Sequence, residues 1–239
     1  MADKPNLGQG DSNPLARLRR SEIGKRLIAL AGLTVIVGGV LAVLFATGLL
    51  GNQGGGTTES GVSIQNAVLL EPPPPPGVSD YEVGPKKGQL APDFEVSRLE
   101  DGSRVSLSDF RGRPVLINFW ATWCPFCIFE MPDMQELLNR HPELVIMAID
   151  RPEPLEKARD YLAGIERLDG SKGVNFTVNA QDPSDVVIAE YHPFFATRPD
   201  ILPVSVFVDA NGFVTLVQIG PWRLAQMEEA LALTLASAA

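Results

Sequence analysis

The chain has 239 residues and a formal net charge of -9, and 45% of its residues are hydrophobic. Residues 1–26 carry six lysines and arginines against three acidic residues, so the remainder is more acidic than the whole. A chain with this balance has no evident basic stripe to neutralise phosphates, which argues against a nucleic-acid partner.

Residues 27–50 contain no charged residue. As a helix they would extend about 36 Å, enough to cross a hydrocarbon core of about 30 Å. Basic residues crowd the preceding segment, and no lysine or arginine follows until Lys86. The positive-inside rule therefore predicts a cytoplasmic basic tail at 1–26, one transmembrane helix at 27–50 in the cell membrane, and an extracytoplasmic C-terminal domain. A cleavable signal peptide is the alternative, but its apolar region is usually only about 7–15 residues long.

Residues 51–87 are predicted to form a flexible and polyproline linker. They include a run of three glycines at 54–56 and five consecutive prolines at 72–76. The prolines favour a stiff rod of about 15 Å, which would hold the folded part away from a bilayer. The remaining residues, 88–239, have the length of one domain.

Within that domain the apolar pattern alternates between strands and helices. In chain order it predicts a hairpin of strands 94–96 and 104–106, a strand at 115–119, a helix after the cysteines, a strand at 144–149, helices at 155–165 and 182–191, a hairpin of strands 204–208 and 213–219, and a closing helix at 224–235. Parallel strands joined by helices, with an antiparallel pair at the end, indicate an α/β sandwich.

The two cysteines stand in the motif W-C-P-F-C at 123–127, between a predicted strand and a predicted helix. At a helix N-terminus the free backbone N–H groups favour a thiolate, so Cys124 is the predicted nucleophile. Cys127, one turn on, is placed to attack a mixed disulfide on Cys124 and release the client. A structural disulfide would close too short a loop to stabilise much. A zinc site would need further ligands, and the histidines have no suitable spacing, so no metal or cofactor is predicted.

The densest pattern covers residues 101–132 and reads D-G-S-R-V-S-L-S-D-F-R-G-R-P-V-L-I-N-F-W-A-T-W-C-P-F-C-I-F-E-M-P. It resembles the membrane-anchored thioredoxin-like proteins of the TlpA, ResA and CcmG type, in the AhpC/TSA-redoxin superfamily, and the resemblance runs from about residue 90 to the C-terminus. It implies a thioredoxin-like fold with an N-terminal hairpin and a central insertion at 176–191. It also implies that Pro132 kinks the cysteine-bearing helix.

The same resemblance implies that Pro203 is a cis-proline facing the cysteines. Leu202, directly before it, is bulkier than residues often found there, where the backbone is expected to pair with an extended client. An apolar collar around Cys124 is predicted from Trp123, Phe126, Phe194 and Phe195. Core packing is the alternative for all but Phe126, whose place between the cysteines indicates exposure. The predicted client-binding surface consists of Trp123, Phe126, Leu202 and Pro203.

Asn118 stands at the strand position where thioredoxin carries a buried aspartate, so another residue must carry protons to and from the buried thiol. Glu130 is the candidate, because it follows Cys127 by one helical turn and ResA-like proteins use a glutamate at the matching position as an acid/base. The alternative is an exposed, solvated carboxylate. His192 is predicted either to line the client groove or to be a half-exposed loop residue, and His141 to end a helix.

These features predict a thiol-disulfide oxidoreductase. The resemblance implies a reductase whose dithiol, kept reduced by a membrane electron donor, reduces exported proteins such as apocytochrome c at its haem-attachment cysteines. Two alternatives stay open: a thiol oxidant for exported proteins, and a copper-binding chaperone using both thiolates with Met131 or His192. A peroxidase is excluded, because its P-x-x-x-T-x-x-C pattern needs proline and threonine where Ile117 and Ala121 stand.

Overall fold

A computed structural model describes residues 56–57 and 62–237. These residues belong to one compact unit, Gly54–Ala239. The predicted basic tail at 1–26 and the predicted membrane helix at 27–50 lie outside the described residues. In the part of the chain that the structure describes, no helix is long and apolar enough to cross a bilayer.

The strands are β1 (Gly56–Thr57), β2 (Ser63–Ile64), β3 (Val68–Leu70), β4 (Asp93–Arg98), β5 (Arg104–Ser106), β6 (Val115–Trp120), β7 (Val145–Asp150), β8 (Val178–Gln181), β9 (Val204–Val208) and β10 (Val214–Ile219). Within the described residues, eight of these strands form one mixed sheet in the order β10-β9-β6-β7-β8-β4-β3, with β5 paired to β4. The helices are α1 (Pro125–Arg140), α2 (Leu155–Gly164), α3 (Val186–Tyr191) and α4 (Leu224–Ser237), with a 3-10 helix at Leu107–Phe110.

Strands β6 and β7 form the centre of the sheet. All six residues of each are buried. Their near-continuous apolar sequences suit parallel strands covered on both faces. The two strands pair in parallel register from Val115 with Val145 to Trp120 with Asp150, so both deliver the chain to the same edge of the sheet. The segment that leaves β6 at this edge carries the cysteines.

Most predicted elements are confirmed to within two residues. The hairpins β4–β5 and β9–β10 are antiparallel. The second turns at Gly212, whose φ of 95° favours glycine, and the Asp209 carboxylate accepts hydrogen bonds from the N–H groups of Asn211 and Phe213. Helix α4 buries Met227 but leaves Leu235 41% exposed.

The predicted linker boundary at residue 87 lies too far along the chain. Val68–Leu70 forms an edge strand that pairs antiparallel with β4, and Ile64 and Ala67 are buried in the core. All three residues of the strand are exposed, so they lack the alternation of buried and solvated side chains that marks a half-buried strand.

The predicted insertion at 176–191 is integral to the sheet. It supplies β8, which lies between β7 and β4, and then α3. The helix begins at Val186 rather than at residue 182, but the Asp182 carboxylate accepts hydrogen bonds from the N–H groups of Val186, Val187 and Ile188. Asp182 therefore satisfies the first turn of the helix from a position four residues before its start.

Candidate active site

The cysteines stand at the N-terminus of α1. Cys124 is the N-cap, Pro125 occupies the first turn, and the two sulfurs are joined in a disulfide. The N–H of Cys127 donates a hydrogen bond of 3.1 Å to Cys124 Sγ, so the positive end of the helix is directed at this sulfur. Cys124 is 4% exposed and Cys127 is fully enclosed. Cys124 is therefore the sulfur that a client can reach.

The four predicted client-binding residues divide into two exposed aromatic rings and a buried turn. Trp123 and Phe126 flank Cys124 with 50% and 59% of their surface exposed. The Leu202–Pro203 peptide bond is cis, as the resemblance implies. Val204 pairs with Phe119 near the end of β6, which places Pro203 at the edge of the sheet that carries the cysteines. The Leu202 side chain packs into the core, so the aromatic rings are the exposed part of this surface.

Glu130 lies on α1 one turn beyond Cys127 and is fully buried, so the alternative of a solvated carboxylate is wrong. Asn118 Nδ2 donates hydrogen bonds to Glu130 Oε1 at 2.8 Å and to Ser205 Oγ at 2.9 Å. The N–H of Trp222 donates to Glu130 Oε2 at 3.4 Å. Burial raises the pKa of Glu130 to about 8, although the Asn118 hydrogen bond opposes the shift. A proton can therefore reside on this carboxyl at neutral pH.

A pair of carboxyls, Asp150 and Glu153, lies beside the loop that carries the cysteines. Burial and the neighbouring Glu153 raise the pKa of Asp150 to about 9. Burial also opposes ionisation of Glu153, but hydrogen bonds from Asp150 and Thr122 outweigh it and lower the pKa of Glu153. The pair therefore shares one proton, held on Asp150. Glu153 accepts hydrogen bonds from the Thr122 N–H at 2.8 Å and hydroxyl at 2.5 Å, which ties the pair to the segment before Cys124.

Arg151 joins three segments around the site. Its guanidinium donates to both carboxylate oxygens of Asp185, at 2.8 and 2.5 Å, and to the carbonyl of Pro199 at 2.7 Å. It also lies 5.9 Å from the centroid of the Trp123 ring and 5.7 Å from that of Phe195. Asp185 has a φ of 56°, a left-handed conformation that aspartate adopts more readily than most residues. The exposed Trp123 is therefore held by a cation whose own charge is paired.

Sequence reasoning did not find the Asp150–Glu153 pair or Arg151. A signal was available, because Asp150 and Arg151 directly follow a buried strand parallel to the one that leads to the cysteines. The carboxyl ends of neighbouring parallel strands meet at one edge of a sheet, where sites commonly form.

His192 and Met131 do not meet the needs of a copper site with the cysteines. His192 is 3% exposed, so neither prediction of an accessible histidine is correct. Its Nδ1 accepts a hydrogen bond from the Phe194 N–H, and its Nε2 lies 3.0 Å from the Ile201 carbonyl, so both ring nitrogens are occupied. Met131 is fully buried on α1. His141 ends α1, as predicted.

Residues 87–217 match the AhpC/TSA family. The chain belongs to this family. It is 34% identical over 143 residues to the thiol-disulfide oxidoreductase ResA of Bacillus anthracis, a match that covers 59% of this chain and 74% of ResA. It is 29% identical over 161 residues to the thioredoxin-like protein YneN of Bacillus subtilis (strain 168), covering 64% of this chain and 83% of YneN.

Among solved structures, one similar chain is a candidate thiol:disulfide interchange protein DsbE from Chlorobium tepidum. The TM-score is 0.52 and the identity 27%, and the match covers 64% of this chain and 99% of the other. The fold is thioredoxin-like, and the chain is a thiol-disulfide oxidoreductase of the AhpC/TSA family.

Proposed function

We propose that the protein is a reductase of disulfides in exported proteins, anchored in the cell membrane with its thioredoxin-like domain outside the cytoplasm. Attack of the Cys124 thiolate on a client disulfide forms a mixed disulfide and releases one client thiolate. Cys127, after losing its proton, attacks Cys124 Sγ and releases the second client thiolate. Two electrons pass from the dithiol to the client, and the enzyme is left with the Cys124–Cys127 disulfide.

Glu130 is the proposed acceptor of the Cys127 proton. Side chains three residues apart on a helix are neighbours, with Cβ atoms about 5–6 Å apart. In the oxidised state the pKa of Glu130 is about 8, so the carboxyl can retain the proton that Cys127 gives up. The membrane donor that restores the dithiol would return two electrons, and the stored proton would go back to Cys127.

The charge environment of the cysteines supports the proposal that electrons pass from the protein to the client. Strongly oxidising dithiols have a reduced form that is stabilised, commonly by cations near the thiolate. Here a buried carboxyl lies one turn from Cys127, and the cation beside Trp123, Arg151, is already paired with Asp185. These side chains therefore add nothing to the stabilisation that the helix N-terminus gives the Cys124 thiolate, which favours a reducing couple. The resemblance to ResA-type and CcmG-type proteins suggests haem-attachment cysteines of apocytochrome c as clients.

The reduction potential of the Cys124–Cys127 couple tests whether the protein reduces or oxidises its clients. We expect a value near that of thioredoxin, about -270 mV, from equilibration with glutathione or dithiothreitol redox buffers. A value near that of DsbA, about -120 mV, would identify a thiol oxidant instead.

The location rests on the uncharged segment 27–50 and the basic residues before it. Protease added to intact spheroplasts should degrade the domain that follows the segment, because the positive-inside rule puts it outside. Digestion that occurs only after lysis would contradict the orientation.

A further inference from the structure

A groove of about 650 Å³ lies between α1 and the end of α2 with the loop that follows it. We call it the α1–α2 groove. Its apolar lining includes Phe129, Tyr161 and Leu168, which are 60%, 37% and 54% exposed. Large apolar side chains gathered at the surface mark a site of interaction more often than scattered ones do. The volume suits one or two side chains of a partner.

The groove begins next to the redox pair. Ile128, which lines it, lies one turn beyond Cys124, and its N–H donates a hydrogen bond of 3.3 Å to the Cys124 carbonyl. Asp133 lines the groove nine residues beyond Cys124, about 13 Å along the helix axis. An extended peptide covers that distance in about four residues. A client whose cysteine is attacked by Cys124 can therefore reach the groove with a nearby side chain.

The residues that line the groove carry a net negative charge, with three acidic side chains against one arginine. Arg223 is paired with Asp133 at 2.8 Å, and its guanidinium lies 4.6 Å from the centroid of the Phe129 ring. Asp160 and Glu166 also line the groove, and neither forms an ion pair with another of the described residues. The rim therefore complements a cation beside an apolar side chain.

We propose that the α1–α2 groove binds an apolar, preferably aromatic, side chain of the disulfide-bearing client, with a lysine or arginine next to it, about four residues from the attacked cysteine. This inference rests on thiol-disulfide exchange at Cys124. It does not depend on whether the protein reduces or oxidises its clients, or on which side of the membrane it lies. A second copy of this chain fits less well, because its net charge of -9 opposes the acidic rim.

The test uses full-length protein, purified in detergent and reduced, with three peptides of equal length. Each carries one cysteine as a mixed disulfide with 2-thiopyridine, whose release is coloured. Four residues from this cysteine, the first peptide carries Phe-Lys, the second Phe-Glu and the third Ser-Lys. We expect the Phe-Lys peptide to react about tenfold faster than either of the others, because it alone gains both the apolar contact and the charge contact. The small substrate 2,2′-dithiodipyridine reports the reactivity of the thiols alone.

The decisive variant is Asp160→Lys with Glu166→Lys, which should reverse the preference in favour of the Phe-Glu peptide while leaving the rate with 2,2′-dithiodipyridine unchanged. The matched control is Glu71→Lys with Glu229→Lys, two exposed acids outside the groove that give the same change in net charge. Equal rates for the three peptides, or the same reversal in the control, would overturn the proposal. Failure to react with 2,2′-dithiodipyridine would instead contradict the exchange activity itself.

Discussion

The amide of Asn118 on β6 donates a hydrogen bond of 2.8 Å to the carboxyl of Glu130 on α1, and both side chains are fully buried. The same amide group donates to Ser205 on β9. This hydrogen bond joins the helix that carries the cysteines to the centre of the sheet. The Asn118 side chain is uncharged and does not titrate. Glu130 is therefore the titratable member of the pair, and burial is the largest cause of its raised pKa, to which the charge of Asp133 adds.

The first prediction is that Glu130→Gln preserves the fold but changes the pH at which the thiolate of Cys124 forms. The amide keeps the shape and still bonds to Asn118, but it cannot hold or release a proton. A carboxylate near the thiols opposes thiolate formation, so the thiolate should appear about one pH unit lower in the variant. Thiolate absorbance and the alkylation rate of Cys124, each followed against pH, measure the difference. Superimposable curves for the two proteins would assign Glu130 a purely structural role.

The second prediction concerns Asn118→Asp, which places two carboxyls within hydrogen-bonding distance. Like charges this close cannot both ionise, so the pair should share one proton and the apparent pKa of Glu130 should rise further above 8. The upper limb of the pH profile of exchange should move to higher pH. Asn118→Ser is the control, because it introduces no charge. A shift of the same size in that control would mean that packing, rather than proton sharing, sets the profile.

The third prediction is a fall in stability as pH rises, measured on the disulfide form so that the thiols do not titrate. The pKa of Glu130 is raised from 4.5 to about 8, so within this window the folded chain holds a proton that the unfolded chain has released. The free energy of unfolding should therefore fall by on the order of 1 kcal/mol per pH unit from this group. Asp150 also lowers the free energy of unfolding as pH rises, because its pKa is raised from 3.8 to about 9.

Urea titrations of the disulfide form at pH 5, 6, 7 and 8 should show the fall, and Glu130→Gln should reduce its slope. Asp150→Asn should reduce the slope independently, since Glu130 and Asp150 belong to separate hydrogen-bond groups. A free energy of unfolding that does not fall over this range would contradict protonation of these two carboxyls in the folded protein.

The fourth prediction is that Arg151→Lys loosens Trp123. Lysine keeps the charge but lacks the planar fork that binds both oxygens of Asp185. We expect a loss of about 1–2 kcal/mol of stability and a red shift of Trp123 fluorescence, read in a background where Trp120 and Trp222 are replaced by Phe. Exchange with a protein disulfide should slow more than exchange with 2,2′-dithiodipyridine. Asp185→Asn, which tolerates the same backbone conformation, should behave in the same way.

The parts of this architecture that the sequence predicts are those set by local pattern or by complete burial. Strands β6 and β7 are continuous apolar runs, and Cys124 is placed at a helix N-terminus by the strand before it and the proline after it. Strand β8 is different, because its Asn179 and Gln181 are polar yet buried. Gln181 Nε2 donates to Asp150 Oδ2 and to the Glu153 carbonyl, partners that only the folded sheet provides.

The candidate site divides in the same way. The cysteines and Glu130 follow from spacing along one helix, whereas Asp150, Arg151 and Asp185 meet through contacts between separate segments. The sequence pattern did not predict the edge strand Val68–Leu70, because backbone hydrogen bonds and not side-chain burial hold it in place. Spacing reveals groups on one element, and residues brought together from several elements require the fold.

The most direct test of the exchange mechanism is to trap the intermediate in cells that produce Cys127→Ser. Cys124 carries the sulfur at the helix N-terminus and is the more accessible of the two cysteines, at 4% exposure against none for Cys127, so this variant should accumulate mixed disulfides with clients that nothing resolves. Non-reducing gels and mass spectrometry would show client cysteines joined to Cys124, and Cys124→Ser should trap none. Adducts that form on Cys127 in the Cys124→Ser variant, with none in Cys127→Ser, would contradict the assignment of Cys124 as nucleophile.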